Sequence, residues 1–281
     1  MSVLDVQVRD AIATVVLQRG KVNAINPTVV EELSTAFAQL QRDSEVRAVV
    51  LTGHGTFFSF GFDIPEFLSY TRERFTRFVT DFARLYRDLF VFPKPPVGAL
   101  NGHAVAGGCM IALAVDTAIV IDGHAKISLN EVAFGSSVFA GSTEMLQFRV
   151  GPRATDVLYS GAMYSPAEAH AIGLVSEVVA TEALLDRAHA IARELGSRRP
   201  AAFAGIKSLL RAPIAESMAR RGAGQPPLPK WSTSGTRSRP GRICAASRFA
   251  RPDLGERANP TLRGGIRHSL FRREHDETYH A

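Results

Sequence analysis

A chain of 281 residues, 46% of them hydrophobic and 21% charged, is long enough to bury a sizeable core as one large domain or two small ones. No stretch approaches the roughly 20 continuous apolar residues of a membrane span, since even residues 104–121 are interrupted by Gly107, Gly108 and Asp116. The formal charge of +6 is concentrated at one end, with 20 basic against 21 acidic residues up to Arg211 and 13 against 6 after it, so the main body has no electrostatic footprint for a nucleic acid.

VLDVQVRD and AIATVVLQ alternate about Arg9 and Asp10 and read as a short hairpin. Asn26 and Pro27 are an N-cap and an N1 proline for a helix whose apolar face is Val29, Leu33, Ala36, Phe37 and Leu40. Val46 to Leu51 is a buried strand, followed by the turn-rich TGHGTFFSFGFDIPEF. Phe75, Phe78, Val79, Phe82, Leu85, Tyr86 and Leu89 share one face of a long helix that ends before Pro93. PPVGAL is a second buried strand, AVAGGCMIALAVD a small-residue helix and TAIVID a third strand. Residues 141–160 and 166–172 are helical, the latter capped by Ser165 with Pro166 at N1, GLVSEVV is a last strand, and 181–195 and 201–211 are helices. Strands separated by helices predict a mainly parallel α/β core. This divides the chain into a core at 1–195, a helical region at 196–221 and a basic Arg/Gly/Pro-rich tail at 222–281 without periodicity. Such a tail is either disordered or the product of a reading frame altered near Arg221.

Several chemistries are excluded or demoted. GHGTFF starts like a dinucleotide loop but has Phe58 at the third glycine position, no GxSxG elbow is present, and His54, His103 and His124 are scattered singly, so no metal site is expected. Cys109 and Cys244 form neither a disulfide framework nor a zinc spacing, and MSVLDVQVRD shows no secretory pattern, which suits a reducing cytoplasm. Three segments remain. FSFGFDIPEF and NGHAVAGGC each run from a turn into a helix start, where free backbone N–H groups and the helix dipole can hold a developing oxyanion; equally, Gly107 and Gly108 can serve only to let a helix pack against a strand. In ISLNEVAFG, Glu131 is the only carboxylate between Asp122 and Glu144, among Ile127, Leu129, Val132, Ala133 and Phe134. Buried there it would be a raised-pKa base; exposed it would be a surface residue at a strand end.

Together KVNAIN, FGFDIPEF, GALNGHAVAGGC, LNE and SPAEAHAIGLVSEVV resemble the crotonase, or enoyl-CoA hydratase/isomerase, superfamily over about residues 3–211. The resemblance implies an α/β crotonase-like spiral of repeated strand-strand-helix units followed by helices, assembly as a homotrimer or hexamer, acyl-CoA substrates, and no cofactor beyond the coenzyme A of the substrate. It places the oxyanion donors on Phe62 and Gly107. It assigns substrate contacts to Lys21, Asn23, Ala24, Asp63, Ile64, Met110, Phe139 and Lys207, the lysine near the CoA phosphates. Hydratases of this kind carry one glutamate just after GGC and a second in the LNE segment; here the first position is Met110 and only Glu131 remains. That pattern resembles the 3-enoyl to 2-enoyl-CoA isomerases. Val138, Phe139 and Ala140 supply no aspartate where dienoyl isomerases and aromatic dehalogenases of the superfamily place one. A hydratase, or a non-catalytic acyl-CoA-binding relative, is the alternative.

Overall fold

The computed structural model describes residues 2–223, and the account is confined to them. The tail proposed for 222–281 lies outside these residues except for its first two positions.

The hairpin forms as β1 (Leu4–Arg9) and β2 (Ile12–Leu17), joined through Asp10 and Ala11, both at positive φ (50° and 60°) as a tight two-residue turn requires. Asn26 caps α1 (Pro27–Arg42) by accepting from Val29 N–H at 3.1 Å, and the apolar face expected of this helix is buried. β3 (Ala48–Gly53) pairs in parallel with β2. Next come β4 (Phe57–Ser59), the one-turn α2 (Ile64–Phe67) and α3 (Arg72–Phe90), then β5 (Pro96–Leu100), β6 (His103–Val105) and α4 (Gly107–Ala114). β7 (Thr117–Ile121) and β8 (Ile127–Ser128) lead into a 3₁₀ turn at Glu131–Phe134. α5 (Ala140–Val150), α6 (Ala154–Ser160), α7 (Pro166–Ala171), β9 (Glu177–Val179), α8 (Leu184–Gly196) and α9 (Pro200–Ala223) complete the described chain.

The strands form two sheets. Six are ordered β1-β2-β3-β5-β7-β9, parallel from β2 onward, and three are ordered β4-β6-β8, also parallel. Period-two alternation splits the large sheet's side chains between two apolar layers. Ile12, Ala48, Val50, Val97, Ala99 and Ile119 pack on Leu184, Ala188, Ile191 and Ala192 of α8, while Val49 and Leu51 face the main core with α1, α3 and α4. Burial on both faces is what parallel strands reached by helical crossovers require.

Two expectations need correction. The segment beginning at Ala104 is not helical throughout: Ala104 and Val105 belong to β6, and α4 starts at Gly107. The last helix does not stop at 211 but continues to Ala223 with Pro213 inside it. Its second half is held by tertiary contacts, with Met218 buried and Ile214 packed on the core. No helix among the described residues is long and apolar enough to cross a membrane.

Candidate active site

The small sheet organises the site. Each of its strands is two or three residues long, and each feeds directly into one of the three segments with chemical potential: β4 into Phe62, β6 into Gly107, β8 into Glu131. Parallel pairing brings the three strand ends to the same edge, so residues far apart in sequence arrive side by side.

At the first strand end the backbone is pinned against Ile25. Ile25 N–H donates to Gly61 O at 2.8 Å, and Asp63 N–H donates to Ile25 O at 3.0 Å. Because successive peptide groups of an extended chain point to opposite sides, Phe62 N–H points away from Ile25. Gly61 lies on the approach to the second strand end: a Cβ there would sit 2.9 Å from Val105 O and 3.3 Å from Gly107 N.

At the second strand end, Ala106 is held at φ 49°, ψ −121°. An L residue rarely adopts this conformation, which costs about 1–3 kcal/mol. Its N–H is anchored to Ser128 O at 2.8 Å, and α4 begins at once. Gly107 is therefore a first-turn residue whose N–H has no intrahelical acceptor. The two glycines also satisfy the packing reading. A Cβ on Gly108 would overlap Ser59 O, and one on Gly107 would lie 2.8 Å from Phe62 Cε1. Close packing at both glycines brings α4 onto β4.

Glu131 opens the 3₁₀ turn beyond β8. Its Oε2 is buried with no hydrogen-bond partner, and burial pushes its pKa up to about 7. Its charge also helps to raise the Cys109 thiol, which is held up mainly by burial, and this places the carboxyl close to the first turn of α4. Burial arises differently from the sequence expectation: Val132, Ala133 and Phe134 are exposed, whereas Leu129, Asn130 and α4 are buried. Met110, only 1% exposed, presents no ionisable group.

An aromatic wall adjoins the N–H pair. The Phe62 ring centroid lies 4.8 Å from Phe78, 4.9 Å from Phe82, 5.8 Å from Phe67 and 5.8 Å from Phe139. Phe139, expected at the substrate, is part of this cluster.

The other expected contacts separate. Lys21 is exposed, as a residue reaching for phosphate would be, and Ile64 is partly exposed. Asn23, buried at φ 49°, braces the loop through Arg19 N, His54 O and Phe57 O, and the Ala24 carbonyl accepts from Arg19 Nη1 at 3.1 Å. Asp63 caps α2 by accepting from Glu66 N–H and pairs with Arg19 at 2.7 Å. These three shape the loop through their internal bonds. Lys207 requires correction. It is 6% exposed and turned inward, with Nζ 2.8 Å from Asp116 Oδ1, so it does not face a phosphate. Burial lowers its pKa to about 8 despite the nearby aspartate. Arg211 also pairs with Asp116, and Arg149 and Arg211 donate to carbonyls at the end of α4, fastening α5 and α9 to it. Among the described residues no group of three or more His, Cys, Asp or Glu side chains is placed to hold a metal ion.

The sequence reading missed the Ala106 kink and the Ile25 brace, because neither has a residue-type signal.

The family model for enoyl-CoA hydratase/isomerase matches residues 7–225, past the point where the sequence resemblance was placed. A Thermus thermophilus protein, provisionally named an enoyl-CoA hydratase, is 37% identical over 194 residues, 68% of this chain and 76% of its own. The short-chain-enoyl-CoA hydratase of Clostridium acetobutylicum is 33% identical over 194 residues, 68% and 74% of the two chains. Two solved structures of one Mycobacterium tuberculosis protein also match. One, described as a probable enoyl-CoA hydratase, has TM-score 0.75 and 28% identity over 79% of this chain and 94% of that one. The other, described as an enoyl-CoA isomerase, has TM-score 0.74 and 27% identity over 79% and 97%.

Proposed function

This chain belongs to the enoyl-CoA hydratase/isomerase family, whose enzymes act on acyl-CoA thioesters, and within it we propose a 3-enoyl-CoA to 2-enoyl-CoA isomerase with Glu131 as its acid and base. The supporting observation is one buried carboxyl with an unpartnered oxygen, raised to about 7, in a site where the position after Cys109 is Met110. A group with that pKa can take a proton near neutral pH and give it back.

The proposed steps need no other acid. The Glu131 carboxylate removes a proton from C2 of the 3-enoyl thioester, and the electron pair delocalises through the C3–C4 double bond and onto the thioester oxygen. Phe62 N–H and Gly107 N–H donate to that oxygen, and a donor of this kind contributes about 10²- to 10³-fold. Neutral Glu131 then delivers the proton to C4, leaving the double bond between C2 and C3. Phe62, Phe82, Phe139 and Met110 provide an apolar surround that disfavours water addition.

Hydration is the second reading, favoured by the names of the two curated relatives. The names do not separate the chemistries, since the two M. tuberculosis structures carry one each. Purified protein assayed for 3-enoyl-CoA isomerisation beside 2-enoyl-CoA hydration distinguishes them: isomerisation in clear excess supports the proposal, and hydration in excess refutes it. We also propose a homotrimer or hexamer working in the cytoplasm. The exposed Ile206, Leu209 and Leu210 stripe of α9 is a surface that assembly would cover, and sedimentation velocity tests it.

A further inference from the structure

Phe62 brings two things to the site, a backbone N–H and a ring. The residue is partly exposed, whereas the four rings packed around its own, Phe67, Phe78, Phe82 and Phe139, are each 9% exposed or less. The Phe62 ring is therefore the open face of this cluster, and the others stand behind it.

Its edge fills the space that a side chain on residue 107 would take. A Cβ on Gly107 would lie 2.8 Å from Phe62 Cε1 and 3.0 Å from Cδ1. A Cα–Cβ bond is about as long as Cα–C, ~1.5 Å, so the ring edge is in van der Waals contact with Gly107 itself. The same ring meets Phe78 and Phe82 edge to face, with centroids 4.8 Å and 4.9 Å away. Edge-to-face rings this close touch, so no alkyl chain passes between them. A carbon chain leaving a thioester whose oxygen rests on Phe62 N–H and Gly107 N–H thus has a ring in front of it on this side.

We infer that the Phe62 ring is a specificity-determining stop, limiting the acyl chain to a few carbons beyond the thioester. The inference rests on the acyl-CoA reading of the site and its two N–H donors, but not on isomerisation. Pushing the ring aside forfeits its contacts with Phe78 and Phe82, each worth about two- to tenfold in an equilibrium constant, whereas each methylene newly buried gains about fourfold. A chain that displaces the ring therefore gains nothing from roughly its first one to three further methylenes.

The test is calorimetric binding of saturated straight-chain esters, lengthened one methylene at a time from butanoyl-CoA to dodecanoyl-CoA. Wild-type affinity should rise by about fourfold per methylene only for the shortest chains, then stay level or fall. Phe62→Ala removes the ring but keeps the backbone N–H, so past the wild-type limit its affinity relative to wild type should grow by about fourfold per methylene. Phe62→Leu fills part of the same space and replaces the alanine variant if that one does not fold, with a smaller shift in the same direction. Phe75→Leu alters a ring of the cluster that packs on Phe67 and Phe78, and it should keep the wild-type limit. An uninterrupted rise in wild type, a Phe62 variant that changes affinity equally at every length, or the same shift in Phe75→Leu overturns the proposal; absence of binding by every ester overturns it together with the acyl-CoA reading. If the limit moves as expected but no 3-enoyl ester is isomerised, the isomerase reading fails and this one stands.

Discussion

Replacing Glu131 by Gln separates two consequences of one burial. The amide keeps the shape of the carboxyl but cannot take a proton, so isomerisation should fall by about 10²- to 10⁴-fold, the usual contribution of general base catalysis. Stability should move the other way. Burial raises Glu131 from 4.5 to about 7. A carboxyl whose folded pKa lies above its unfolded one contributes no penalty at pH below both values. The penalty grows as pH rises from the unfolded to the folded pKa, then stays constant. At 1.36 kcal/mol per pKa unit, a shift of this size corresponds to about 3 kcal/mol as an upper figure, and partial solvent access brings the expectation to about 1–3 kcal/mol. Denaturant midpoints of wild type and variant should thus converge near pH ~4 and separate toward pH ~8, with the variant the more stable. The same titration gives kcat/KM of the wild type an ascending limb centred near pH 7. A stability difference that does not change with pH, or a variant retaining more than about half of the activity, would refute the reasoning.

Met110→Glu should introduce measurable hydration of 2-enoyl-CoA and cost about 1–3 kcal/mol, because the new carboxyl is buried without a partner; a folded, ester-binding variant with no hydration above wild type rules out that role for the position. Asp116→Ala should lower stability by about 3–5 kcal/mol in denaturant melts, since it strands Lys207 and Arg211 as buried cations; a loss below about 1 kcal/mol would mean that water reaches them. Gly108→Ala should destabilise by about 1–3 kcal/mol by pushing α4 off Ser59, and isomerisation should fall further than substrate binding because Gly107, the proposed oxyanion donor, moves with it; an active variant of wild-type stability would show that the contact yields.

What could be read from the sequence was what short-range chemistry decides. Asn26 with Pro27, Ser165 with Pro166 and the seven-residue apolar face of α3 carry their own instructions, and they fold as expected. Strands β4, β6 and β8 carry none, because two or three residues cannot display a period, and their pairing partners lie more than twenty residues away. Yet these strands bring the site together. The last helix was expected to end at 211, yet Pro213 lies inside it, where a proline ordinarily removes a helical hydrogen bond and costs about 3 kcal/mol. The buried Arg211 and Met218 on either side offset that cost through contacts with Phe90 O, Ala114 O and Gly141, none of which is near in sequence. Lys207 turned inward for the same reason, since its partner Asp116 is 91 residues earlier.

Glu131 shows the limit most clearly. Its apolar neighbours suggested burial, and it is buried, but Val132 and Phe134 are 49% and 66% exposed and contribute little to it. The carboxyl is enclosed because β8 ends beside the first turn of α4, a consequence of three-strand register rather than of local composition. Its basicity is therefore a property of the small sheet's alignment. A change that shifts β4, β6 or β8 relative to one another should alter the Glu131 pKa and the spacing of the Phe62 and Gly107 N–H groups together, leaving its sequence neighbours untouched.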